Sequence, residues 1–474
     1  MRCNAWPNAR RAKPHHCYNP EYVLFFLIRT PSSTTPPPLP HPPLPPISTP
    51  PSHIHPFPPT THPPPRPTMS TPLPPSSVER YSRQLLLPTF GVRAQTKLQT
   101  SRALIVGCGG LGSPALLYLA GAGVSVLGLV DRPHDVVDRS NLHRQIAHAD
   151  ARVGQSKVAS AAAAARALNP HVVIETHAEF VARNAVELVS TYHVVLDCTD
   201  NVAARYLVSD ACAAAKVPLV SGAAIGMEGQ LTVYCAGADT PCYRCVFPAP
   251  PPPSCVGSCD AAGVLGPVPG VIGTMQALEA LKLLGGIEKT TTLRRKLLLF
   301  DAADSAFRTV KLRPRARECP ACGDEPSIEV ARFAYEAFAL GRDGKAPVGG
   351  VTVEAPAANA VPGLDGLRIS AEKFAGIRKD ASKYRLIDVR PEAEFAMCHL
   401  EEAKSYPLAD LPSSGVLVEG DDADTVQTIF ICRRGNSSQK ALKLAVERGM
   451  QNAVDVIGGL QSWHHKVDAN FPLY

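Results

Sequence analysis

A cysteine near the C-terminus lies in a loop whose residues favour an anionic sulfur. The loop is Cys432-Arg433-Arg434-Gly435-Asn436-Ser437-Ser438, between an apolar run at 428–431 that predicts a buried strand and a predicted helix at 439–445. A cysteine at a strand-to-helix turn faces free backbone N–H groups and the positive end of a helix dipole. Together with two arginines, these groups stabilise a thiolate or a persulfide anion. The loop predicts Cys432 as a catalytic nucleophile, although by itself it also suits a phosphatase or a simple sulfurtransferase.

A glycine-rich loop in the first half of the chain predicts a nucleotide site. Gly107-Cys108-Gly109-Gly110-Leu111-Gly112 satisfies the G-x-G-x-x-G pattern between a predicted strand at 103–106 and a predicted helix at 113–120. Asp131 ends the next predicted strand, at 124–130. The glycines let the backbone approach phosphate oxygens, and the acid can hold a ribose hydroxyl. Taken alone, the pattern fits a dinucleotide enzyme as well as an ATP enzyme.

Charged residues around this loop favour ATP. The segment 80–84 precedes the first strand, 140–145 follows the second, Lys157 opens an Ala-rich helix, and Asp200-Asn201 follows a predicted strand at 193–197. They supply three cations for a triphosphate and, in Asp200, an acid for Mg²⁺, whose preferred ligands are oxygens. An oxidoreductase needs no such array.

Four cysteines form two Cys-x-x-Cys pairs, Cys242 with Cys245 and Cys319 with Cys322. Four thiolates suit tetrahedral zinc with no open position, which is typical of a structural site. The four cysteines therefore predict a structural zinc site, although the gap between the pairs is longer than in a compact finger.

Composition divides the chain into four parts. Residues 1–78 hold 24 of the 47 prolines, which predicts a disordered leader, and its apolar run at 22–28 is too short to span a bilayer. Strands and helices alternate over 79–325, 326–365 is predicted as a linker, and 366–474 is a second α/β domain. The net charge of +6 is too small to indicate nucleic-acid binding, and 14 cysteines without dense disulfide spacing suit a reducing compartment.

Residues 79–325 resemble the ATP-activating fold of the ubiquitin-activating and molybdopterin-synthase adenylyltransferase families. The resemblance implies a Rossmann-like doubly wound parallel sheet that binds ATP and Mg²⁺, and a homodimer in which Arg83 reaches the neighbouring subunit's nucleotide. The other ATP-binding residues that it implies are Gly110, Asp131, Ser140, Asn141, Leu142, His143, Arg144, Lys157, Asp200 and Asn201. One departure is visible: the family's Asp-x-Asp is here Asp131-Arg132-Pro133-His134-Asp135.

The same resemblance implies a second nucleophile and a metal. In the family, a cysteine between the two Cys-x-x-Cys pairs attacks the acyl-adenylate, and alignment on 263–267 favours Cys259 over Cys255 for this role. Whether Cys259 forms a thioester or an acyl disulfide stays open. One structural zinc ion per subunit is implied at the four cysteines. Cys108, Cys198 and Cys398 are predicted as structural thiols.

The C-terminal domain resembles a rhodanese sulfurtransferase. Asp388-Val389-Arg390 is similar to the early signature of that family, and Gly458-Gly459-Leu460 with Trp463 is similar to its closing one. Cys432 falls where the persulfide-bearing cysteine belongs. Ser437 stands where rhodanese domains fused to adenylylating domains often have an acid.

Both domains in this order resemble the eukaryotic adenylyltransferase-sulfurtransferase family that serves ubiquitin-like sulfur carriers. The resemblance implies adenylation of a carrier's C-terminal glycine, followed by sulfur transfer from a persulfide that a cysteine desulfurase loads onto Cys432. The persulfide attacks the activated acyl group directly or after transfer of its sulfur to Cys259. The thiocarboxylate product would serve wobble-uridine 2-thiolation of tRNA, molybdopterin synthesis or both, so the carrier is a tRNA-thiolation carrier or the small subunit of molybdopterin synthase. Protein conjugation of the carrier is a further route.

The resemblance also implies a cytoplasmic homodimer that contacts neither nucleic acid nor membrane directly. Two alternatives remain at this stage. One is a conjugation-activating enzyme whose rhodanese module only binds partners, and the other is a NAD-dependent oxidoreductase. Removing residues 1–68 is expected to leave activity intact.

Overall fold

The computed structural model describes residues 73–251, 263–287, 292–340, 364, 366–380, 382–417 and 426–473. The chain divides into two compact units, Met1–Ala346 and Pro347–Tyr474, and each is described by itself. Both units are α/β, as the alternation of apolar strands and helices predicted. Most of the predicted Pro-rich leader, much of the predicted linker and both Cys255 and Cys259 lie outside the described residues. Among the described helices, none is long and apolar enough to cross a membrane.

The first unit is built on a mixed sheet of eight strands within its described residues. The strands are β1 (Arg102–Val106), β2 (Val126–Val130), β3 (Val173–Thr176), β4 (Val194–Asp197), β5 (Leu219–Ile225), β6 (Glu228–Tyr234), β7 (Lys296–Asp301) and β8 (Ala306–Lys311). Their order across the sheet is β3-β2-β1-β4-β5-β6-β7-β8. The first five are parallel, as the sequence predicted for a doubly wound sheet.

The last three strands run antiparallel, which the sequence did not predict. Only two residues, Gly226 and Met227, separate β5 from β6, and Gly226 has a φ of +59°. A parallel connection needs a crossover of a dozen or more residues, so this two-residue turn forces the chain to reverse. Strands β5 to β8 therefore form an antiparallel meander, which does not continue the parallel part of the sheet.

Helices cover both faces of this sheet. They are α1 (Pro75–Leu85), α2 (Gly91–Leu98), α3 (Gly112–Ala122), α4 (Lys157–Leu168), α5 (Ala185–Ser190), α6 (Val202–Ala215), α7 (Tyr243–Val246), α8 (Pro267–Gly285) and α9 (Tyr335–Ala339). Side chains alternate along β1: Ala103 and Ile105 join the core beneath α3, α4 and α8, whereas Leu104 and Val106 join the core beneath α5 and α6. Burial on both faces explains why residues 103–106 of this strand are all apolar.

The beginning of the segment predicted as a linker folds with the first unit. Val330 and Tyr335 are buried in the core beneath α6. The Tyr335 hydroxyl donates a hydrogen bond to Asp210 Oδ2 on α6 at 3.0 Å. The chain is therefore anchored to the first unit as far as α9.

The second unit contains a parallel sheet of five strands among its described residues. The strands are β9 (Arg368–Ile369), β10 (Tyr384–Asp388), β11 (Lys404–Ser405), β12 (Gln427–Ile431) and β13 (Ala453–Val456), in the order β11-β10-β12-β13-β9. The helices are α10 (Ala371–Ile377), α11 (Glu392–Met397), α12 (Asn436–Glu447) and α13 (Gly459–Lys466). The central strand, β12, leads directly into the Cys432 loop, and α12 extends the predicted helix at both ends.

Candidate functional site

The glycine loop joins β1 to α3 in a backbone path that side chains would block. Gly107 has a φ of +99°, and a Cβ there would lie 2.6 Å from the carbonyl oxygen of Cys198. A Cβ on Gly112 would lie 1.9 Å from the carbonyl oxygen of Gly107. Both glycines are therefore required for the turn itself. Gly110 faces the 140–145 segment, since its absent Cβ would stand 3.6 Å from Arg144 Cγ.

Asp131 lies against this loop at the carboxyl end of β2. Its Oδ2 accepts a hydrogen bond from the Cys108 N–H at 2.7 Å, and its Oδ1 accepts one from the Arg132 N–H at 2.7 Å. Burial raises the pKa of Asp131, and the two N–H groups oppose that rise. An acid held at the end of the second strand beside a glycine loop is the arrangement that binds ribose hydroxyls.

Two ion pairs lie near Asp131, and together with Asp131 and the glycine loop they form what we call the glycine-loop cluster. Lys157 Nζ, with its side chain only 8% exposed, lies 2.9 Å from Asp135 Oδ2. Arg132, from the three-residue segment between the two acids, donates to both Asp200 oxygens at 2.9 and 3.2 Å. The structure therefore brings Asp131, Lys157 and Asp200 to one edge of the sheet, where the carboxyl ends of β2 and β4 meet.

The 140–144 segment begins in a 3-10 helix, Arg139–Asn141, and continues as a turn through Arg144. Asp138 caps it by accepting hydrogen bonds from the Ser140 N–H at 2.7 Å and the Ser140 hydroxyl at 2.6 Å. Arg144 donates to Asn141 Oδ1 at 2.6 Å, which orients its guanidinium. A Cβ on Gly266 would stand 2.3 Å from the carbonyl oxygen of His143, so the start of α8 packs tightly on this turn.

Three of the residues predicted to bind ATP, Asn201, Leu142 and Arg83, are not among the ion pairs and hydrogen bonds described above. Asn201 uses its side chain to cap α6, accepting from the Ala204 N–H at 2.8 Å. Leu142 is half-buried and ends the 3-10 turn. Arg83 is exposed on α1 and takes no part in the contacts described for the glycine-loop cluster.

His148 is a residue of this cluster that sequence reasoning missed. It is buried, one ring nitrogen lies 3.0 Å from the Cys108 carbonyl oxygen, and the other lies 2.9 Å from the Ser160 hydroxyl. It joins the glycine loop to α4, the helix that begins at Lys157. Its position three residues after Gln145 carried no motif that would have indicated the contact.

The thiols of Cys108 and Cys198 are buried, in keeping with their predicted structural role. Burial raises the pKa of both well above the usual value, and Asp131 raises that of Cys108 further while Asp197 does so for Cys198. Both therefore stay protonated and unreactive near neutral pH.

Cys242, Cys245, Cys319 and Cys322 come together in the first unit, with all four sulfurs within 4.8 Å of one another. The sulfurs of Cys242 and Cys245 are 3.8 Å apart, those of Cys242 and Cys319 3.6 Å, and those of Cys245 and Cys322 3.4 Å. Sulfurs in a tetrahedron at about 2.3 Å from a common zinc ion would be about 3.8 Å apart. The four thiols thus fit a closed zinc site.

Contacts around these thiols fix them in place. The Ala316 N–H donates to Cys245 Sγ at 3.4 Å, and Arg315 donates to the Cys322 carbonyl oxygen at 2.8 Å. Arg244, inside the first Cys-x-x-Cys pair, is buried and makes a forked ion pair with Asp210 at 2.9–3.0 Å. That ion pair ties the metal-binding segment to α6.

Cys432 lies at the end of β12 and is 3% exposed. The N–H groups of Gly435 and Ser438 donate to its sulfur at 3.2 and 3.3 Å. The Gly435 φ of +80° directs the loop N–H inward before α12 begins. Arg434 is exposed and Arg433 half-buried on the same loop. These donors and the start of α12 create the positive surroundings that the sequence predicted for an anionic sulfur.

The start of α13 packs against the same loop. The Leu460 N–H donates to the Cys432 carbonyl oxygen at 2.9 Å. A Cβ on Gly459 would lie 2.1 Å from that oxygen, which explains the glycine pair at 458–459. Beneath the loop, the Ser438 hydroxyl contacts Asp455 on β13, a contact that sequence reasoning did not foresee.

Comparison with known proteins agrees with this architecture. Residues 81–321 match the model of the ThiF family, and residues 370–466 match that of the rhodanese-like domain. The fold and the two loops therefore define a chain that joins a ThiF-type domain to a rhodanese-like domain.

Relatives whose names give both an adenylyltransferase and a sulfurtransferase activity match most of this chain. Adenylyltransferase and sulfurtransferase MOCS3 of Arabidopsis thaliana is 43% identical over 418 residues, 85% of this chain and 86% of that protein. MOCS3-1 of Zea mays is 44% identical, over 85% of this chain and 84% of its own length, and MOCS3 of Caenorhabditis briggsae is 43% identical, over 84% and 97%. The chain belongs to the adenylyltransferase and sulfurtransferase MOCS3 family, which confirms the resemblance stated from its motifs.

Proposed function

We propose that this protein adenylates the C-terminal glycine of a ubiquitin-like sulfur carrier and then converts that carboxylate into a thiocarboxylate. The observation that carries the proposal is the presence, on one chain, of a glycine-loop cluster suited to ATP and a loop cysteine held by backbone N–H groups. Family membership supports both activities. The thiocarboxylate would serve tRNA 2-thiolation, molybdopterin synthesis or both, and the same activation would allow conjugation of the carrier to proteins.

In the first step, the carrier carboxylate attacks the α-phosphorus of ATP and pyrophosphate leaves, which gives an acyl-adenylate. Gly110 and its neighbours would admit the phosphates, Asp131 would hold the ribose, and Lys157 and Arg144 would stabilise the negative charge that develops. Ser140, Asn141, Leu142, His143 and Asn201 would shape the rest of the nucleotide site. Arg83 would act on the nucleotide of the other subunit, which implies a homodimer.

Asp200 is the residue that we assign to Mg²⁺, which would neutralise phosphate charge when bound. Its carboxylate is now paired with Arg132, and both side chains are more than half exposed. An exposed ion pair contributes only about 0–1 kcal/mol, so a divalent ion with its phosphates can displace the guanidinium at little cost. Arg132 would then be free to contact phosphate oxygens.

In the second step, Cys432 would receive sulfur from a cysteine desulfurase as a persulfide. Its terminal sulfur attacks the acyl carbon and AMP leaves, which gives an acyl disulfide between carrier and Cys432. A thiolate, either Cys259 or a small dithiol reductant, then attacks Cys432 Sγ. The S–S bond breaks, the carrier leaves as a thiocarboxylate, and the attacking thiol is oxidised to a disulfide. In the alternative order, the sulfur passes to Cys259 before it meets the acyl group.

Carrier-dependent exchange of labelled pyrophosphate into ATP tests the first step. We expect exchange only when a ubiquitin-like protein ending in Gly-Gly is present, because its carboxylate is the acceptor of AMP. A carrier whose last glycine has been removed is the matched control and should give none. Exchange that is independent of the carrier, or binding of nicotinamide dinucleotide instead of ATP, would contradict the proposal.

The four-cysteine site is proposed to hold one structural zinc ion per subunit. Replacing Cys319 by serine is expected to lower zinc affinity at least about 100-fold, because even changes outside the ligand set of a metal site cost about 10–100-fold. Zinc content and the thermal midpoint should fall together, since metal binding contributes to folding.

Cys235 provides the matched control for this experiment, because its half-buried thiol packs beside the four ligands without being one of them. Cys235→Ser should keep the full zinc content. A Cys319→Ser protein that retains one zinc ion per chain with unchanged affinity would contradict the proposed site.

We also propose a cytoplasmic location. The ten described cysteines are all free, and a thiolate zinc site and a persulfide both require reducing surroundings. Direct contact with nucleic acid or membrane is not part of the proposed mechanism.

A further inference from the structure

A line of buried polar groups leads away from the sulfur of Cys432 into the sheet. The thiol donates to the Ser438 hydroxyl at 3.5 Å, and that hydroxyl donates to Asp455 Oδ2 on β13 at 2.9 Å. Ser438 and Asp455 are fully buried. On the far side, Arg368 on β9 makes a fork with Asp455, with distances of 2.7 and 3.1 Å. Four residues from one loop, one helix and two strands thus form a continuous chain of hydrogen bonds.

The Ser438 hydroxyl stands between two acceptors when the sulfur is anionic. A hydroxyl has one hydrogen to donate, so it can serve the carboxylate or the sulfur but not both at once. Asp455 can release it, because the carboxylate keeps both hydrogen bonds from Arg368. For the anionic sulfur the hydroxyl would be a third donor beside the N–H groups of Gly435 and Ser438, and a hydrogen bond to a charged group is about twice as strong as a neutral one.

We propose that the Ser438 hydroxyl turns between the Asp455 carboxylate and the Cys432 sulfur, accepting a hydrogen bond from the neutral thiol and donating one to the anionic sulfur. In this role Ser438 positions and stabilises the nucleophile. Rotation of its hydroxyl toward the sulfur breaks the hydrogen bond to Asp455, so the strength of that bond opposes the rotation. The role of the sulfur in transfer rests on the proposed function, whereas the turn itself concerns only the charge state of Cys432.

Other charged groups near Cys432 do not replace this contact. Arg433 and Arg434 add positive charge from the loop itself. At the adjacent end of β10, Asp388 is buried and paired with Arg390 at 2.5 Å, so its charge is balanced locally. Asp455 is a buried carboxylate whose link to the sulfur runs through Ser438.

The rate of Cys432 alkylation by iodoacetamide, measured on the full-length protein as a function of pH and followed by mass spectrometry of the Cys432 peptide, tests this proposal. Ser438→Ala removes the hydroxyl, and we expect the midpoint of the profile to rise by about one pH unit, a tenfold loss of thiolate at a given pH below the midpoint. Asp455→Asn removes the competing carboxylate, so its midpoint should fall.

Ser462→Ala is the matched control, since Ser462 is a half-buried serine on α13 outside the described contacts of Cys432. Its profile should overlay that of the wild type. A Ser438→Ala profile that also overlays the wild type, or moves to lower pH, would overturn the proposal. This comparison holds even if Asp455→Asn does not fold. Alkylation needs neither ATP nor carrier, so a shifted profile in a protein that makes no thiocarboxylate would contradict the proposed function alone.

Discussion

Replacing Cys432 by alanine is expected to abolish thiocarboxylate formation while carrier-dependent pyrophosphate exchange continues at the wild-type rate. The sulfur is the atom that would bear the persulfide, and alanine keeps the loop backbone but has no nucleophile. We expect a loss of at least about 1,000-fold in thiocarboxylate formation, the scale on which removal of an essential nucleophile acts. Adenylation should be unaffected because the residues that we propose for it lie in the first unit.

Cys398→Ala is the control for this variant. Cys398 is a half-buried thiol of the same unit that contacts a backbone carbonyl rather than a ring of N–H groups. It should leave both activities intact. If Cys432→Ala made thiocarboxylate at the wild-type rate, Cys432 would not be the sulfur donor, and the alternative in which the rhodanese-like unit only binds partners would be favoured.

Replacing Lys157 by alanine is expected to reduce pyrophosphate exchange by about 100–1,000-fold, as removal of a preorganised charge-stabilising donor does in other active sites. The lysine is nearly buried beside Asp135 at the edge where the glycine loop ends. Its loss removes a positive charge that would attract the phosphates. It also leaves the Asp135 carboxylate without its partner, so that this negative charge repels ATP. Loading of persulfide onto Cys432 should be unchanged.

Lys311→Ala serves as the matched control, because Lys311 is an exposed lysine on β8. Its exchange rate should equal that of the wild type. Wild-type exchange in the Lys157→Ala protein would show that the Lys157–Asp135 ion pair serves only the fold.

The sequence predicted well those parts of the molecule that depend on neighbouring residues. Apolar runs, glycines and a helix start within a few positions predicted two features. These are the glycine loop between β1 and α3 and the Cys432 loop between β12 and α12. The approach of the two Cys-x-x-Cys pairs was also foreseen, since four thiolates in two such pairs suit a shared zinc ion and the family resemblance supported it.

Features that depend on distant residues escaped prediction. The contacts of His148 with Cys108 and of Asp455 with Ser438 join segments that fold together only when the sheets form. Packing of α9 against α6 involves residues 125 positions apart, at the Tyr335–Asp210 hydrogen bond. The antiparallel reversal after β5 occurs at Gly226, one of three glycines within eight residues, and nothing in that short segment indicated which of them forms the turn. Cys259 stays a prediction, because it lies outside the described residues.

The most direct test is mass spectrometry of the carrier itself. A ubiquitin-like protein ending in Gly-Gly would be incubated with this enzyme, MgATP, a cysteine desulfurase with cysteine, and a dithiol reductant. The proposed function predicts a carrier whose mass increases by the difference between one sulfur and one oxygen atom, and only when ATP and Cys432 are both present. A carrier that is adenylated under these conditions but retains both carboxylate oxygens would contradict it.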